Sequence, residues 1–264
     1  MVTVSALFYY PIKGCAGVSA EQAEVTPAGL VHDRRFVFVT PDGTFRCQRT
    51  TQALATIRPT VVHDGTKLTL AAPGVADLTL DVRLDGPRVP VTLHKIWALE
   101  GVDQGDDVAD WASEVLGQPV RLARAAPDFD RQVDEHHGQV GFADSTALHA
   151  TSLASLDDLN ARILERGGDT VPMERFRPNL VLAGVDPYGE DDLRTLTIGD
   201  AVLRYVKPDI RCRVTMTDQV TGEMVGPEPI RTLASYRRED GGVSFGIKLA
   251  VDQPGTVKVG DEVY

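Results

Sequence analysis

The first hundred residues break into short runs of β-branched and aromatic side chains, and this patterning limits the fold more than any other feature of the chain. "VTVSALFYYPI", "RRFVFVT", "TKLTLAA" and "RVPVTLHKIWAL" are each bounded by turn residues. Such runs suit a pleated, half-buried surface and are too short to be typical buried helices. Asp42-Gly43 and Asp64-Gly65 supply the pair that tolerates positive φ in a tight hairpin turn. The same grammar returns in "NLVLAG", "TLTIGDAVLRYVK", "RCRVTMT", "VSFGIKLAV" and "TVKVGDEVY", which are read as strands. Regularly spaced short strands point to a barrel or sandwich. Three helices interrupt them. One is predicted from about Asp107 to Leu116, with Val108, Trp111, Ala112, Val115 and Leu116 on one face and Gly117 and Pro119 ending it. A second runs from about Ser152 to Glu165, with Leu153, Leu156, Leu159, Ile163 and Leu164 as its stripe, Thr151 or Ser152 as cap and Gly167-Gly168 as stop. A shorter one follows Pro229. The fold class is therefore α+β and mostly β. Composition shifts in "LGQPVRLARAAPDFD", which sets a boundary near residue 122 and two domains, 1–122 and 123–264.

Bulk properties exclude several functions. With 264 residues the chain can bury its own core without cross-links. Its three cysteines, Cys15, Cys47 and Cys212, are widely spaced and form neither a disulfide framework nor a cysteine-only zinc site. A reducing cytoplasm is the expected location. The N-terminus lacks a basic signal region, and no window approaches the roughly 18–20 apolar residues of a membrane span. The reading is a soluble protein with no membrane partner. The net charge of −11 argues against nucleic acid. Residues 1–60 nevertheless hold six basic side chains (Lys13, Arg34, Arg35, Arg46, Arg49 and Arg58) and four acidic ones, while the remainder holds 21 basic and 34 acidic. That local excess suits a small anion, although a solvated mixed surface would produce it too.

Candidate chemistry centres on Cys212 in "KPDIRCRVTMTD". Thiolates bind metals and attack electrophiles, and adjacent cations favour them. In a regular strand, however, Cys212 would face away from Arg211 and Arg213, and a free cysteine is often simply a small buried hydrophobe. In "MERFRPNLVLAG", Arg177 could clamp an anion and Asn179 could both donate and accept, or the segment could merely close a helix before proline. His136 and His137 are adjacent and lack a third ligand at zinc-site spacing. Of Arg34 and Arg35, alternation lets at most one face a site shared with Lys13. Phosphate-loop, dinucleotide and serine-hydrolase motifs are absent.

Taken in order, "YYPIKGC", "GLVHDRRFVFV", "SLASLDDLN", "RFRPNLVLAG", "IGDAVLRYVKPDIRCRVTMTDQVTGEM" and "PGTVKVGDEVY" resemble the MOSC family across nearly the whole chain. The resemblance is closest to the amidoxime-reducing component and its bacterial relatives. It implies a β-barrel-like MOSC domain packed against an N-terminal β-rich barrel domain, with a few helices. It also implies a molybdenum cofactor (Mo-molybdopterin). Cys212 would be the metal ligand and catalytic residue. Lys13 and Arg34 would hold the cofactor's phosphate and Arg177 and Asn179 its pterin, with Asp144, Ser145, Thr146 and Arg211 as further contacts. The implied activity is reduction of N-oxygenated small molecules such as amidoximes. Electrons would come from a separate ferredoxin, flavoprotein or cytochrome, since no iron-sulfur cysteine cluster is present. A non-catalytic cofactor or sulfur carrier would satisfy the same residues. Gly14 and Ile210 depart from the family's eukaryotic pattern, which has serine at both positions.

Overall fold

The computed structural model describes residues 1–94 and 97–264. Seven strands close into a barrel. Around the circle they run Val2–Tyr9, Leu180–Ala183, Leu148–Ser152, Gly242–Gln253, Ala201–Arg211, Thr195–Ile198 and Glu262–Val263, which pairs again with Val2–Tyr9. The N-terminal strand is thus a stave of a barrel built otherwise from the C-terminal half. Only Leu148–Ser152 and Leu180–Ala183 are parallel, and α2 (Leu153–Glu165) supplies the crossover such a pair requires. Leu7, Leu148, Leu180, Leu182, Leu196, Ile198, Leu203, Ile247 and Leu249 fill the interior. Each contributes about 1.5–3 kcal/mol by leaving water.

A second body is built from residues 36–124. Phe36–Val39, Arg121–Arg124, Trp97–Asp103 and Arg88–Leu93 form one antiparallel sheet, and Arg58–Val62, Lys67–Ala71 and Leu78–Asp81 another. Here α1 (Asp106–Leu116) packs Val108, Ala112 and Leu116 onto Phe38, Leu54, Ile57, Leu68, Leu70 and Leu122. Both Asp-Gly turns lie where the pattern puts them. Asp64 and Gly65 have φ of 55° and 86°, as a two-residue hairpin turn requires. No helix among the described residues is long and apolar enough to cross a membrane.

Three local expectations need correction. "RVPVTLHKIWAL" is two antiparallel strands, Arg88–Leu93 and Trp97–Asp103, whose connection includes residues 95 and 96, outside the described residues. "RCRVTMT" is not a strand. Ala201–Arg211 stops before Cys212, and Arg213–Met216 forms a 3-10 turn in which the Thr215 N–H and hydroxyl both donate to the Cys212 carbonyl, at 3.1 and 3.0 Å. Such a side-chain bond offers the backbone an alternative to the ladder. On α2, capped by the Ser152 hydroxyl, Leu159 and Ile163 are buried, whereas Leu153 and Leu164 are exposed. The packed row follows i, i+3, i+7 from Leu156, which is narrower than the apolar composition suggests.

Ala201–Arg211 is bulged against Gly242–Gln253 between Tyr205 and Lys207 and again between Pro208 and Ile210. Pro208 cannot donate to the ladder, so a bulge is its natural place. The irregular register buries Asp209 and leaves Ile210 partly open beside Cys212. Both bulges lie at the barrel end where the candidate residues gather.

Candidate functional site

A cavity of about 230 Å³ opens at this end of the barrel, against the segment from Lys13 to Arg49. Lys13, Arg34, Asp144, Ser145, Thr146, Arg177, Asn179, Arg211 and Cys212 all line it. Residues up to 235 positions apart in sequence therefore share one wall, with Arg49, His149, Asp209 and Lys248 among them. Six lysine and arginine side chains face two aspartates there, a local positive excess within an acidic protein.

Cys212 is exposed at the mouth, just past the strand end. The cation on its sulfur is neither sequence neighbour. Arg213 is exposed, and Arg211 turns inward to Asp209 and to the Phe176 carbonyl at 2.7 Å. Arg49 reaches the sulfur instead, with Nη1 3.8 Å from Sγ. Its Nη2 lies 3.3 Å from His94 Nδ1, and since a guanidinium only donates, that nitrogen accepts. The network thereby assigns the His94 proton to Nε2, which donates to Asp144 Oδ1 at 2.9 Å. Lys13 contacts the same carboxylate oxygen and donates to the Phe142 carbonyl at 2.8 Å. Burial would raise the Asp144 carboxyl, but Lys13 and His94 outweigh it and hold it well below the usual range. Burial, countered in part by Asp144, lowers the Lys13 amine. A chain of contacts thus runs from thiol to lysine across the cavity.

On the opposite side Tyr10 carries both remaining arginines. The Arg34 and Arg177 guanidinium carbons lie 4.7 and 4.3 Å from its ring centroid. Arg34 also contacts Asp33 and donates to Asn179 Oδ1 at 3.2 Å, while Arg177 donates to Gln219 Oε1 at 3.2 Å. Arg34 has a positive φ of 49° just before the strand Phe36–Val39, so the double arginine is not in a strand. Arg35 points elsewhere, to the Ala126 carbonyl. Asn179 is fully buried with its amide saturated inside the protein, so it positions Arg34 rather than presenting a free amide to the cavity. Thr146 likewise bonds its hydroxyl to the Leu148 carbonyl, and Ser145 accepts from Lys248 at 3.1 Å.

The floor is formed by Asp209, Lys248 and His149. Asp209 contacts Arg211, has Lys248 Nζ at 3.3 Å and His149 Nε2 at 3.5 Å. Burial opposes its ionisation, but Arg211 and Lys248 bring the carboxyl down to about 2. Burial pushes His149 down to about 3, with Arg211, Lys248 and Arg34 adding to the effect and Asp209 opposing it. This fixes a pH dependence. An unfolded chain protonates His149 near pH 6.5, whereas the folded one does so only near 3. Folding stability therefore falls as pH is lowered through that window, by about 1.4 kcal/mol per pH unit from this group. Urea denaturation of the ligand-free protein between pH 6.5 and 4.5 should show this slope, and His149→Leu should lack it.

Sequence reasoning passed over Arg49, His94, His149, Asp209 and Lys248. Arg49 was visible only as part of the basic excess. Cys47 also lines the cavity, whereas Cys15 is buried and its thiol is pushed up by burial, the mark of a packing cysteine. His136 and His137 bond Asp134, Arg204 and Lys207 and do not line the cavity. Gly14 has φ of 86°, and a Cβ there would meet Leu54 at 3.2 Å, so the local backbone opposes a serine. Its carbonyl accepts from Gln48 at 2.7 Å.

One soft sulfur at the mouth and a lining of donors suit a ligand with a thiophilic metal and anionic oxygens. No group of three histidine, cysteine or acidic ligands occurs among the described residues, so a metal here needs most of its ligands from elsewhere. Comparison with known proteins agrees with this geometry. Residues 1–119 match the family described as MOSC N-terminal beta barrel domain and residues 137–264 the MOSC domain. The human protein named mitochondrial amidoxime-reducing component 1 is 36% identical over 99% of this chain and 82% of its own length. The rat mitochondrial amidoxime reducing component 2 is 33% identical with the same coverage. Molybdenum cofactor sulfurase of Oryza sativa subsp. japonica is 30% identical over 94% of this chain, which spans 32% of that protein.

Proposed function

The chain belongs to the MOSC family, and from that premise we propose that it binds the molybdenum cofactor and reduces N-oxygenated small molecules. The observation that carries the reading is the placement of one exposed thiol and six cations on one cavity. Cys212 would ligate the metal. Lys13, Arg34 and Arg177 would hold the phosphate, with Asn179 and Asp33 fixing Arg34 and Gln219 fixing Arg177. Asp144 would hold Lys13, and Asp144, Ser145, Thr146 and Arg211 would complete the wall. When bound, the cofactor supplies a two-electron redox metal that can take up oxygen.

For an N-hydroxy substrate the overall change is R–NH–OH + 2e⁻ + 2H⁺ → R–NH₂ + H₂O. The two electrons would come from a separate donor protein. Cys212 stands at the mouth, so the reacting end of the site is the end a small molecule reaches. Arg49 would hold the sulfur side and, through His94, stay in place. The relation to molybdenum cofactor sulfurase supports a second reading, a carrier that binds the cofactor without turnover.

Metal and pterin analysis tests the shared premise. Protein made in cells competent for molybdenum-cofactor synthesis should contain about one molybdenum per chain, and a chain free of both metal and pterin would defeat both readings. Turnover of an amidoxime with an artificial reductant separates them, since the carrier predicts none.

A further inference from the structure

Arg131 is the largest of the fully buried side chains among the described residues, and the site as built so far makes no use of it. A buried guanidinium is costly unless its donors are placed. Here Nη1 donates to the Gly141 carbonyl at 3.1 Å and to the Ala143 carbonyl at 2.6 Å, and Nη2 donates to the Asp144 carbonyl at 3.0 Å. The carbonyl skipped in that series turns the other way. Phe142 accepts from Lys13 Nζ at 2.8 Å.

These residues lie between the strands Arg121–Arg124 and Leu148–Ser152, in a stretch that forms neither helix nor strand. Gly141, Phe142 and Ala143 are nevertheless buried, so their carbonyls need donors that no sheet ladder supplies. A planar fork of fixed N–H groups can serve several carbonyls at once. What this fork holds is the back of the cation cradle. The Phe142 N–H donates to the Arg34 carbonyl at 2.9 Å, and a Cβ on Gly141 would come within 2.8 Å of that same oxygen. The Asp144 carboxylate contacts Lys13. Residues 141–144 therefore meet Lys13 through two groups and the Arg34 backbone through a third, with Ala143 and Asp144 lining the cavity in front of Arg131.

We propose that Arg131 is a positioning residue of the anion site, gathering the Gly141, Ala143 and Asp144 carbonyls so that the Phe142 carbonyl and the Asp144 carboxylate fall on Lys13. The inference rests on the cofactor reading above for the identity of the anion. It adds a residue that acts on the phosphate cradle from behind the wall. Charge alone does not replace it, since a lysine at this position is a point charge on a flexible stem without the fork.

The test compares wild type, Arg131→Lys and Arg131→Met and reads two quantities. In the ligand-free protein, acylation of Lys13 and of Lys248 is followed by peptide mass spectrometry across pH, taking the limiting rate at alkaline pH, where the amine is neutral in every variant. Both amines line the same cavity, but Lys248 is held from the floor by Asp209, so it controls for access and for general loosening. In protein made in cells that synthesise the cofactor, pterin retained through dialysis is measured by fluorescence after oxidative release. In Arg131→Met the Lys13 rate should rise at least about fivefold while the Lys248 rate stays within about twofold of wild type. Its pterin retention should fall about 10–100-fold, the range usual for an outer partner of a site. Arg131→Lys should lie between wild type and Arg131→Met in both readings, and because it keeps the stem and the charge it carries the decision if Arg131→Met does not fold. An unchanged Lys13 rate overturns the proposal. So does a parallel rise at Lys13 and Lys248, which is a general structural role, and so does a freed Lys13 with wild-type retention. A wild-type protein without pterin overturns the cofactor reading instead, and the acylation rates still decide whether Arg131 positions Lys13.

Discussion

Alanine at Cys212 is expected to remove bound molybdenum and to lower N-reductive turnover by more than roughly 100-fold, beyond the ~10–100-fold usual when only an outer partner of a metal ligand is lost. The fold should not notice. Cys212 is exposed, the hydrogen-bond partner of its Sγ among the described residues is Arg49, and Arg49 keeps His94, so the denaturation free energy should stay within about 0.5 kcal/mol of wild type. This separation of effects is what makes the substitution informative. The backbone around position 212 is held by the Cys212 carbonyl, which accepts from Thr215 and survives replacement of the side chain. Metal content measured on protein matched for concentration and thermal midpoint decides the matter. A Cys212→Ala protein with a full complement of molybdenum would mean the metal is held by the cofactor's own sulfurs and the cation cradle alone. Arg49→Gln provides the graded control. It keeps the thiol but removes its neighbouring charge, and its effect should fall between the two.

The strand runs and turns were legible because their causes are local. β-branched composition and the positive φ of Asp64 and Gly65 act within a few residues. The site was legible only in its residue types. Periodicity in "RCRVTMT" set Arg211 and Arg213 on the face opposite Cys212 unless the segment bends, and it does bend: the strand ends at Arg211 and a 3-10 turn closed by Thr215 follows, yet neither arginine is the one that reaches the sulfur. The cation that does reach the sulfur comes from 163 positions earlier, and no spacing rule reaches that far. His149 was invisible for a similar reason. It sits in "ALHATS", where a single histidine in an apolar run reads as core, and only the closed barrel puts it beside Asp209 and Lys248. The family resemblance gathered Lys13, Arg34, Arg177, Asn179 and Cys212 before any geometry was known. It could not distinguish residues that face a ligand from residues that hold those that do.

Asn179 shows what that distinction predicts. Its amide uses all four of its hydrogen-bonding positions within the protein. Nδ2 donates to the Phe8 carbonyl at 3.1 Å and to Asp33 Oδ1 at 3.2 Å, while Oδ1 accepts from Arg34 Nη1 and from the His149 N–H, each at 3.2 Å. It therefore ties the N-terminal stave, the arginine segment and the barrel strand carrying His149 at one fully buried point. Asn179→Leu keeps the approximate volume and removes every bond. It strands a backbone carbonyl, a backbone N–H and part of a carboxylate whose remaining partners are Arg34 and the Tyr10 N–H. Each stranded group costs about 1–3 kcal/mol, and with partial relaxation a loss on the order of 3–5 kcal/mol is expected. That is a large share of the roughly 5–15 kcal/mol that holds a folded domain. Urea denaturation of the ligand-free protein reads it directly, and because the effect is on the fold it should appear with or without cofactor. Arg34 would keep its stacking on Tyr10 and its contact with Asp33 but lose its third anchor, so pterin retention should fall in whatever protein remains folded. Asn179→Asp should be no milder despite its similar shape, since it places a second buried carboxylate beside Asp33 and removes the donor to Phe8. If Asn179→Leu were as stable as wild type, the amide would be facing the cavity for a ligand and not holding the frame around it.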